Sequence, residues 1–248
     1  MTETPSNKFI AFVAIVATPF ALGAFLLAWA PAQQFSETDP KKDGYVQPRS
    51  ISDLVDKTQA STVTVFCEPD KKGFIQGTAW ALDLPNGVEE DFPTTLITNH
   101  HVIERCIGLD GKLTVALPYK KRVATQIVKW DKKNDLAVLA TKLELDPLEL
   151  STYEPWPGYW VMALGSADGF EGSVAFGSVL NSTDYELLLT TNISHGNSGG
   201  PLVDNEGKVV GVVSWRSKTE QYNGAMSLNA FCAEILECDG KFYWKRDN

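Results

Sequence analysis

The chain has 248 residues, of which 44% are hydrophobic and 21% charged, and a formal net charge of −9 at pH 7. That mix suits one large globular domain or two small ones with a real core. No basic cluster exceeds short groups such as Lys120, Lys121 and Arg122, which excludes a nucleic-acid binder, because phosphate contacts need a concentrated basic face.

Residues 9–30, "FIAFVAIVATPFALGAFLLAWA", hold 22 residues and no charge, enough to cross a bilayer as a helix. A small-residue site after Ala32 leaves a cleaved signal peptide as the alternative. Residues 1–32 are thus expected to be a signal anchor or signal peptide. Residues 33–54, polar and holding Pro40, Gly44 and Pro48, read as a linker. The domain that follows is expected outside the cytoplasm, periplasmic or extracellular, either anchored through residues 9–30 or secreted.

From about residue 61 short β signals follow one another. "STVTVFC", "FIQGTAWALDL", "TTLIT", "KLTVALP", "RVATQIVKW" and "DLAVLAT" form a first set. A connection rich in acid and proline, "LELDPLELSTYEPWPG", separates it from "YWVMALG", "GSVAFGSVL", "YELLLTT", "GPLVD", "KVVGVVSW" and "NGAMSLNAF". Two sets of about six strands predict an all-β protein of two six-stranded antiparallel barrels, one over about 55–146 and one over about 156–236. "LNAFCAEILECDG" reads as a short C-terminal helix, capped by Asn229, burying Phe231, Ala233 and Leu236 and stopped by Gly240; residues 237–248 are then a tail.

The four cysteines, Cys67, Cys106, Cys232 and Cys238, include no CxxC pair, and the histidines lack zinc-ligand spacing, so no metal is expected. In an exported domain disulfides fit better than buried thiols. Cys67 on the first strand and Cys106 in the same half are expected to pair, as are Cys232 and Cys238.

All three histidines fall in two stretches, "LITNHHVIE" and "ISHGNSGGPLV". In the second, Ser198 stands among Gly196, Asn197, Gly199 and Gly200. Glycines let a backbone approach a bound carbonyl, and the N–H groups of Gly196 and Ser198 could hold a developing oxyanion. A serine hydroxyl needs a base, and imidazole is the natural one at neutral pH. Taken alone, the stretch could also be a glycine-rich hairpin. Gly196-x-Ser198-x-Gly200 also matches the elbow of α/β-hydrolases, but those need a histidine after the serine, and none follows. A subtilisin-like order needs a parallel α/β body, against the β-rich pattern. The order left is His, Asp, Ser. His100 or His101 supplies the base, Ser198 the nucleophile, and "DKKNDLAVLA" the acid: Asp135 at the head of an apolar strand, or Asp131 in the polar turn before it.

"LITNHHVI", "NDLAVL" and "GNSGGPL", in that order, resemble the trypsin-like serine proteases, and "WVMALGSADGF" narrows the resemblance to the high-temperature-requirement (Htr, Do-like) branch. The resemblance covers roughly residues 55–236. It implies the chymotrypsin fold and a serine endopeptidase acting on protein or peptide substrates without a cofactor. It assigns His101, directly before Val102, as base, with Asp135 and Ser198 completing a triad and His100 a bystander. It implies an oxyanion hole at Gly196, Asn197 and Ser198, and substrate contacts at Asn192, His195, Ser214, Trp215 and Arg216. Asn192, six residues before Ser198, is not acidic, so a strong preference for Arg or Lys is not expected. Arg216 stands where many trypsin-like enzymes have glycine. The branch often carries a C-terminal PDZ domain; with 50 residues after Ser198, most of them needed by the second barrel, none is expected here. The competing function is a protease-like binding or regulatory protein whose activity is latent or lost.

Overall fold

The computed structural model describes residues 44–70, 73–84 and 91–244. The expected membrane or signal helix, residues 9–30, lies outside them. Among the described residues, no helix is long and apolar enough to cross a membrane.

The first described element is a helix that the strand-oriented reading did not anticipate. α1 (Ile51–Ala60) starts at Ser50, whose hydroxyl accepts from the Asp53 N–H, and buries Leu54 and Thr58. Only two of its side chains are buried, so its apolar stripe is too thin to stand out by periodicity. It takes up the last four residues of the stretch expected as linker. The part before it is also held. The Gly44 carbonyl accepts from Trp160 N (2.7 Å), and the Val46 carbonyl from Asn205 Nδ2 (3.2 Å).

Among the described residues twelve strands follow. β1 (Thr62–Asp70), β2 (Gly73–Ala81), β3 (Thr94–Thr98), β4 (Leu113–Ala116), β5 (Val123–Asp131) and β6 (Leu136–Thr141) close into one barrel in the order β1-β2-β3-β6-β5-β4. β7 (Trp160–Gly165), β8 (Ser173–Ser182), β9 (Glu186–Leu189), β10 (Pro201–Val203), β11 (Val209–Arg216) and β12 (Asn223–Ser227) close into a second, β10-β11-β12-β9-β8-β7. Every pairing between these strands is antiparallel. The two expected barrels are therefore present.

The alternation of β1 explains how the barrels meet. Val63, Val65 and Cys67 point into the first barrel's core. Thr64, on the opposite face, hydrogen-bonds through its hydroxyl to that of Ser166 at the end of β7, 2.7 Å away. Trp80, Ile97, Leu136 and Val138 likewise turn outward from the first barrel and join the core of the second. Both expected disulfides form, Cys67–Cys106 and Cys232–Cys238.

The C-terminal helix departs from expectation. Only one turn, Leu228–Phe231, is α-helical, and it begins after Ser227 rather than at Asn229. The chain then folds back. Ile235 N and Leu236 N both donate to the Phe231 carbonyl, and Glu237 and Asp239 take positive φ. A bridge over six residues, Cys232 to Cys238, is incompatible with a continuing helix, whose rise would carry the two ends apart. Ala233 is exposed, and Ile235 is buried in its place. Residues 237–244 do not trail away: Trp244 is 3% exposed and donates its indole N–H to the Ser151 carbonyl.

Candidate active site

His101 sits in a single helical turn, His100–Ile103, that follows β3. Val102 and Ile103 are buried in the first barrel's core, which leaves His101 turned outward and His100, 5% exposed, turned in. The two adjacent histidines thus go separate ways, and only His101 reaches a carboxylate. Its Nδ1 lies 2.8 Å from Asp135 Oδ2, and its backbone N–H donates to Asp135 Oδ1 at 3.0 Å.

Asp135 precedes β6 with φ 52°, a left-handed backbone that Asp tolerates better than most residues. Asn99 secures it by donating its side-chain N–H to the Asp135 carbonyl, 2.7 Å. The Ser214 hydroxyl donates to Asp135 Oδ2, also at 2.7 Å. Burial alone would raise this carboxyl's pKa. The hydrogen bond and charge of His101, the Ser214 hydroxyl and the His101 backbone N–H outweigh it and hold the pKa below the usual carboxylate value. Asp135 is therefore ionised at neutral pH. Asp131 does something else: its Oδ1 accepts from the N–H groups of Lys133 and Asn134, so it caps the turn leading to Asp135.

Ser198 lies on a turn between the 191–197 segment and β10. Gly196 (φ 93°) and Gly199 (φ 85°) both adopt backbone that favours glycine, and both are crowded. A Cβ at Gly196 would lie 2.1 Å from the Ser166 carbonyl oxygen, and one at Gly199 would lie 2.2 Å from that of Thr78. The turn is pinned to both barrels by backbone: Thr78 N donates to Ser198 O (2.8 Å), the Thr78 hydroxyl to Gly196 O (2.7 Å), and Gly199 N to Val213 O (2.8 Å).

The His195 carbonyl accepts from Asp168 N at 2.6 Å. In a planar trans peptide the carbonyl and the next N–H point opposite ways, so the Gly196 N–H faces away from the Asp168 loop. Among the described residues, neither Gly196 N–H nor Ser198 N–H donates a hydrogen bond. Asn197 differs: its N–H is engaged with Ser194 O (3.2 Å) and its side chain is buried. The Ser198 hydroxyl donates to the Ser214 carbonyl, 3.3 Å, rather than to His101. His101, Asp135, Ser214 and Ser198 thus form one chain of neighbours running from the first barrel into the second.

The remaining candidate residues line up beside this chain. Asn192, His195 and Arg216 are exposed, and Trp215 is half-buried. Trp215 donates its indole N–H to Glu186 Oε1 (3.2 Å), and Arg216 Nη2 lies 2.9 Å from His195 Nε2. Sequence reading placed Ser214 on a substrate edge but missed its hydroxyl on Asp135. It also missed Thr78, Asn99 and Asp168, each of which donates to a backbone carbonyl of the site, contacts that no motif displays. Among the described residues, no group of three or more His, Cys, Asp or Glu side chains is placed to hold a metal.

Comparison with known proteins fits this geometry. A Chlamydia trachomatis protein named "Probable periplasmic serine endoprotease DegP-like" is 32% identical over 157 residues, 58% of this chain and 29% of its own. A protein of the same name from Hahella chejuensis is 37% identical over 131 residues, 48% of this chain and 27% of its own. The chain therefore spans under a third of the length of these relatives. Among solved structures, a protease from M. tuberculosis in its active form superposes with a TM-score of 0.61 at 20% identity, covering 83% of this chain and 93% of that one. A serine endoprotease from Yersinia pestis gives 0.63 at 22% identity, covering 77% and 66%. At those identities the superpositions speak for the fold. The model of the trypsin-like peptidase domain matches residues 75–212, more than half of the chain, and the chain belongs to that family.

Proposed function

We propose that the chain is a serine endopeptidase in which Ser198 is the nucleophile, His101 the base and Asp135 the residue that orients His101. The observation that carries this is the Asp135 carboxylate, ionised and held by three donors, 2.8 Å from His101 Nδ1. That contact keeps the imidazole proton on Nδ1 and leaves Nε2 to accept one. For catalysis the Ser198 hydroxyl has to leave the Ser214 carbonyl and donate to that nitrogen. Oγ then attacks the scissile carbonyl carbon as its proton passes to His101, and the oxyanion meets the unengaged N–H groups of Gly196 and Ser198. His101 returns the proton to the leaving amine, leaving an acyl-enzyme. Water, deprotonated by His101 in its turn, releases the acid and restores Ser198.

Substrate is recognised as an added strand. Beyond Val213, no strand among the described residues pairs with the β10-facing edge of β11, so residues 214–216 offer backbone groups to an extended peptide. The periplasmic names of the relatives and the two disulfides support a place of action outside the cytoplasm.

The second reading, a protease-like protein with latent activity, is favoured by one observation, the Ser198 hydroxyl bonded to Ser214 rather than to His101. Peptide hydrolysis by wild type and Ser198→Ala separates the two. Endopeptidase action predicts turnover in wild type and a loss of several powers of ten in the variant, with the fold kept. A residual rate within about tenfold of wild type rules out Ser198 as nucleophile.

A further inference from the structure

Two side-chain contacts cross the space between the segment that leads into Ser198 and the β11–β12 pair. Asn223 Nδ2 donates to the Thr191 carbonyl at 2.7 Å, and Arg216 Nη2 meets His195 Nε2 at 2.9 Å. Arg216 and Asn223 are register partners, so the two crossings lie side by side. Asn223 closes the inner end of the cleft on a backbone oxygen. Arg216 closes its mouth on His195, three residues from Ser198.

The chemistry of the outer crossing is unusual. Arginine stays protonated and only donates, so in this contact His195 Nε2 stands as the acceptor. A neutral nitrogen lone pair is a weak match for a guanidinium, which binds a carboxylate through two parallel N–H···O bonds. Yet among the described residues Arg216 forms no salt bridge, in a chain with 31 acidic residues against 22 basic ones. The nearby Glu186 carboxylate serves the Trp215 indole instead.

We propose that Arg216, parked on His195 in the free enzyme, is the specificity-determining residue of the cleft and selects substrates with Asp or Glu at P1, the residue whose carbonyl Ser198 attacks. This rests on the serine-peptidase reading above. An entering carboxylate displaces His195 as the acceptor of the guanidinium and opens the mouth of the cleft as it binds. A Lys or Arg side chain there meets a like charge. An uncharged side chain offers Arg216 at most a neutral acceptor in exchange for His195, so it displaces the crossing less readily.

The test uses the full chain and four peptides identical except for P1 Glu, Gln, Leu or Lys. In wild type, kcat/KM for Glu exceeds that for Gln by about tenfold, the size of one charge-assisted hydrogen bond, and Lys is the poorest. The Glu:Gln ratio falls toward one in Arg216→Gln, is partly kept in Arg216→Lys, and is kept or raised in His195→Ala, which frees the guanidinium. The wild-type ratio also shrinks as salt rises, which a purely structural role for Arg216 would not produce. A wild-type ratio at or below one, or a ratio indifferent to Arg216→Gln, overturns the proposal. Labelling of Ser198 by a fluorophosphonate in the same preparations separates the two levels: a labelled enzyme without acid preference defeats this inference alone, and an unlabelled wild type defeats the peptidase reading with it.

Discussion

The two barrels hold their halves of the site by different means. In the first, the turn bearing His101 is anchored by side chains: Val102, Ile103 and Cys106 are buried among Val63, Val65, Leu96 and Leu139, and Cys106 is bonded to Cys67 on β1. In the second, the turn bearing Ser198 has no apolar anchor of its own. Backbone hydrogen bonds and two glycines at positive φ fix it, against a core that extends from Leu202 and Val213 through to Trp80 and Phe231. His101 is positioned by packing and a covalent staple, and Ser198 by backbone geometry. A small interior can be reinforced by a disulfide; a turn that must present N–H groups to a ligand cannot be filled with side chains.

The largest effects should break the first arrangement at its tip. His101→Ala and Asp135→Asn are each expected to lower kcat by about 10⁴-fold, the second because an amide can hold the wrong imidazole tautomer. Asp131→Asn and His100→Ala touch neither, and should keep kcat within about tenfold while lowering the melting temperature. Asp131 caps a turn, and His100 is buried. Kinetics on one peptide and thermal melts of all four variants check this; a crippled Asp131→Asn beside a normal Asp135→Asn would reverse the assignment of the acid.

Intermediate effects sharpen the contrast in stapling. Cys67–Cys106 closes a separation of 39 residues and Cys232–Cys238 one of 6. On loop entropy, removing the first costs about 4 kcal/mol and the second about 2 kcal/mol. Denaturant unfolding of the paired Cys→Ser variants measures both. Equal losses would mean that the first barrel does not depend on its staple more than the C-terminal turn depends on its own.

The smallest effect lies in the second barrel, whose large core tolerates a buried carboxylate. Burial raises the pKa of Asp204, only partly offset by the N–H groups of Lys208 and Glu206. A carboxyl whose pKa is raised on folding destabilises the native state when charged. That penalty is complete above the folded value and vanishes as pH falls below the unfolded value of about 3.9. Asp204→Asn keeps an oxygen for the two backbone donors. It should therefore raise the melting temperature slightly at pH 7, with the gain shrinking toward pH 4. Melts of both proteins across that range decide it.

How far the sequence could be read follows the same division. Strands whose side chains alternate, as in "STVTVFC", announce themselves because successive side chains leave on opposite faces, here an apolar core and a polar seam. The His101, Asp135 and Ser198 stretches were legible because the chemistry needs particular residue types in order. What could not be read was set by backbone or by distant partners. α1 shows only two buried side chains, and the C-terminal helix pattern is cut short by a disulfide that periodicity does not register. Ser214 looked like an edge residue because nothing local reveals that its hydroxyl reaches a carboxylate 79 positions earlier. The support of the Ser198 turn by Thr78 is carried by a backbone N–H and a hydroxyl donated to backbone oxygens of the turn, which have no signature in composition or spacing.

The most direct test of the central claim, that Ser198 is a nucleophile activated by His101, is to treat the folded protein with a fluorophosphonate and map the adduct by peptide mass spectrometry. The account predicts a single adduct on Ser198 in wild type, none on Ser198 in the folded His101→Ala variant on the same timescale, and a wild-type yield that persists in His100→Ala. A folded wild type that stays unlabelled, or one labelled equally with and without His101, would contradict it.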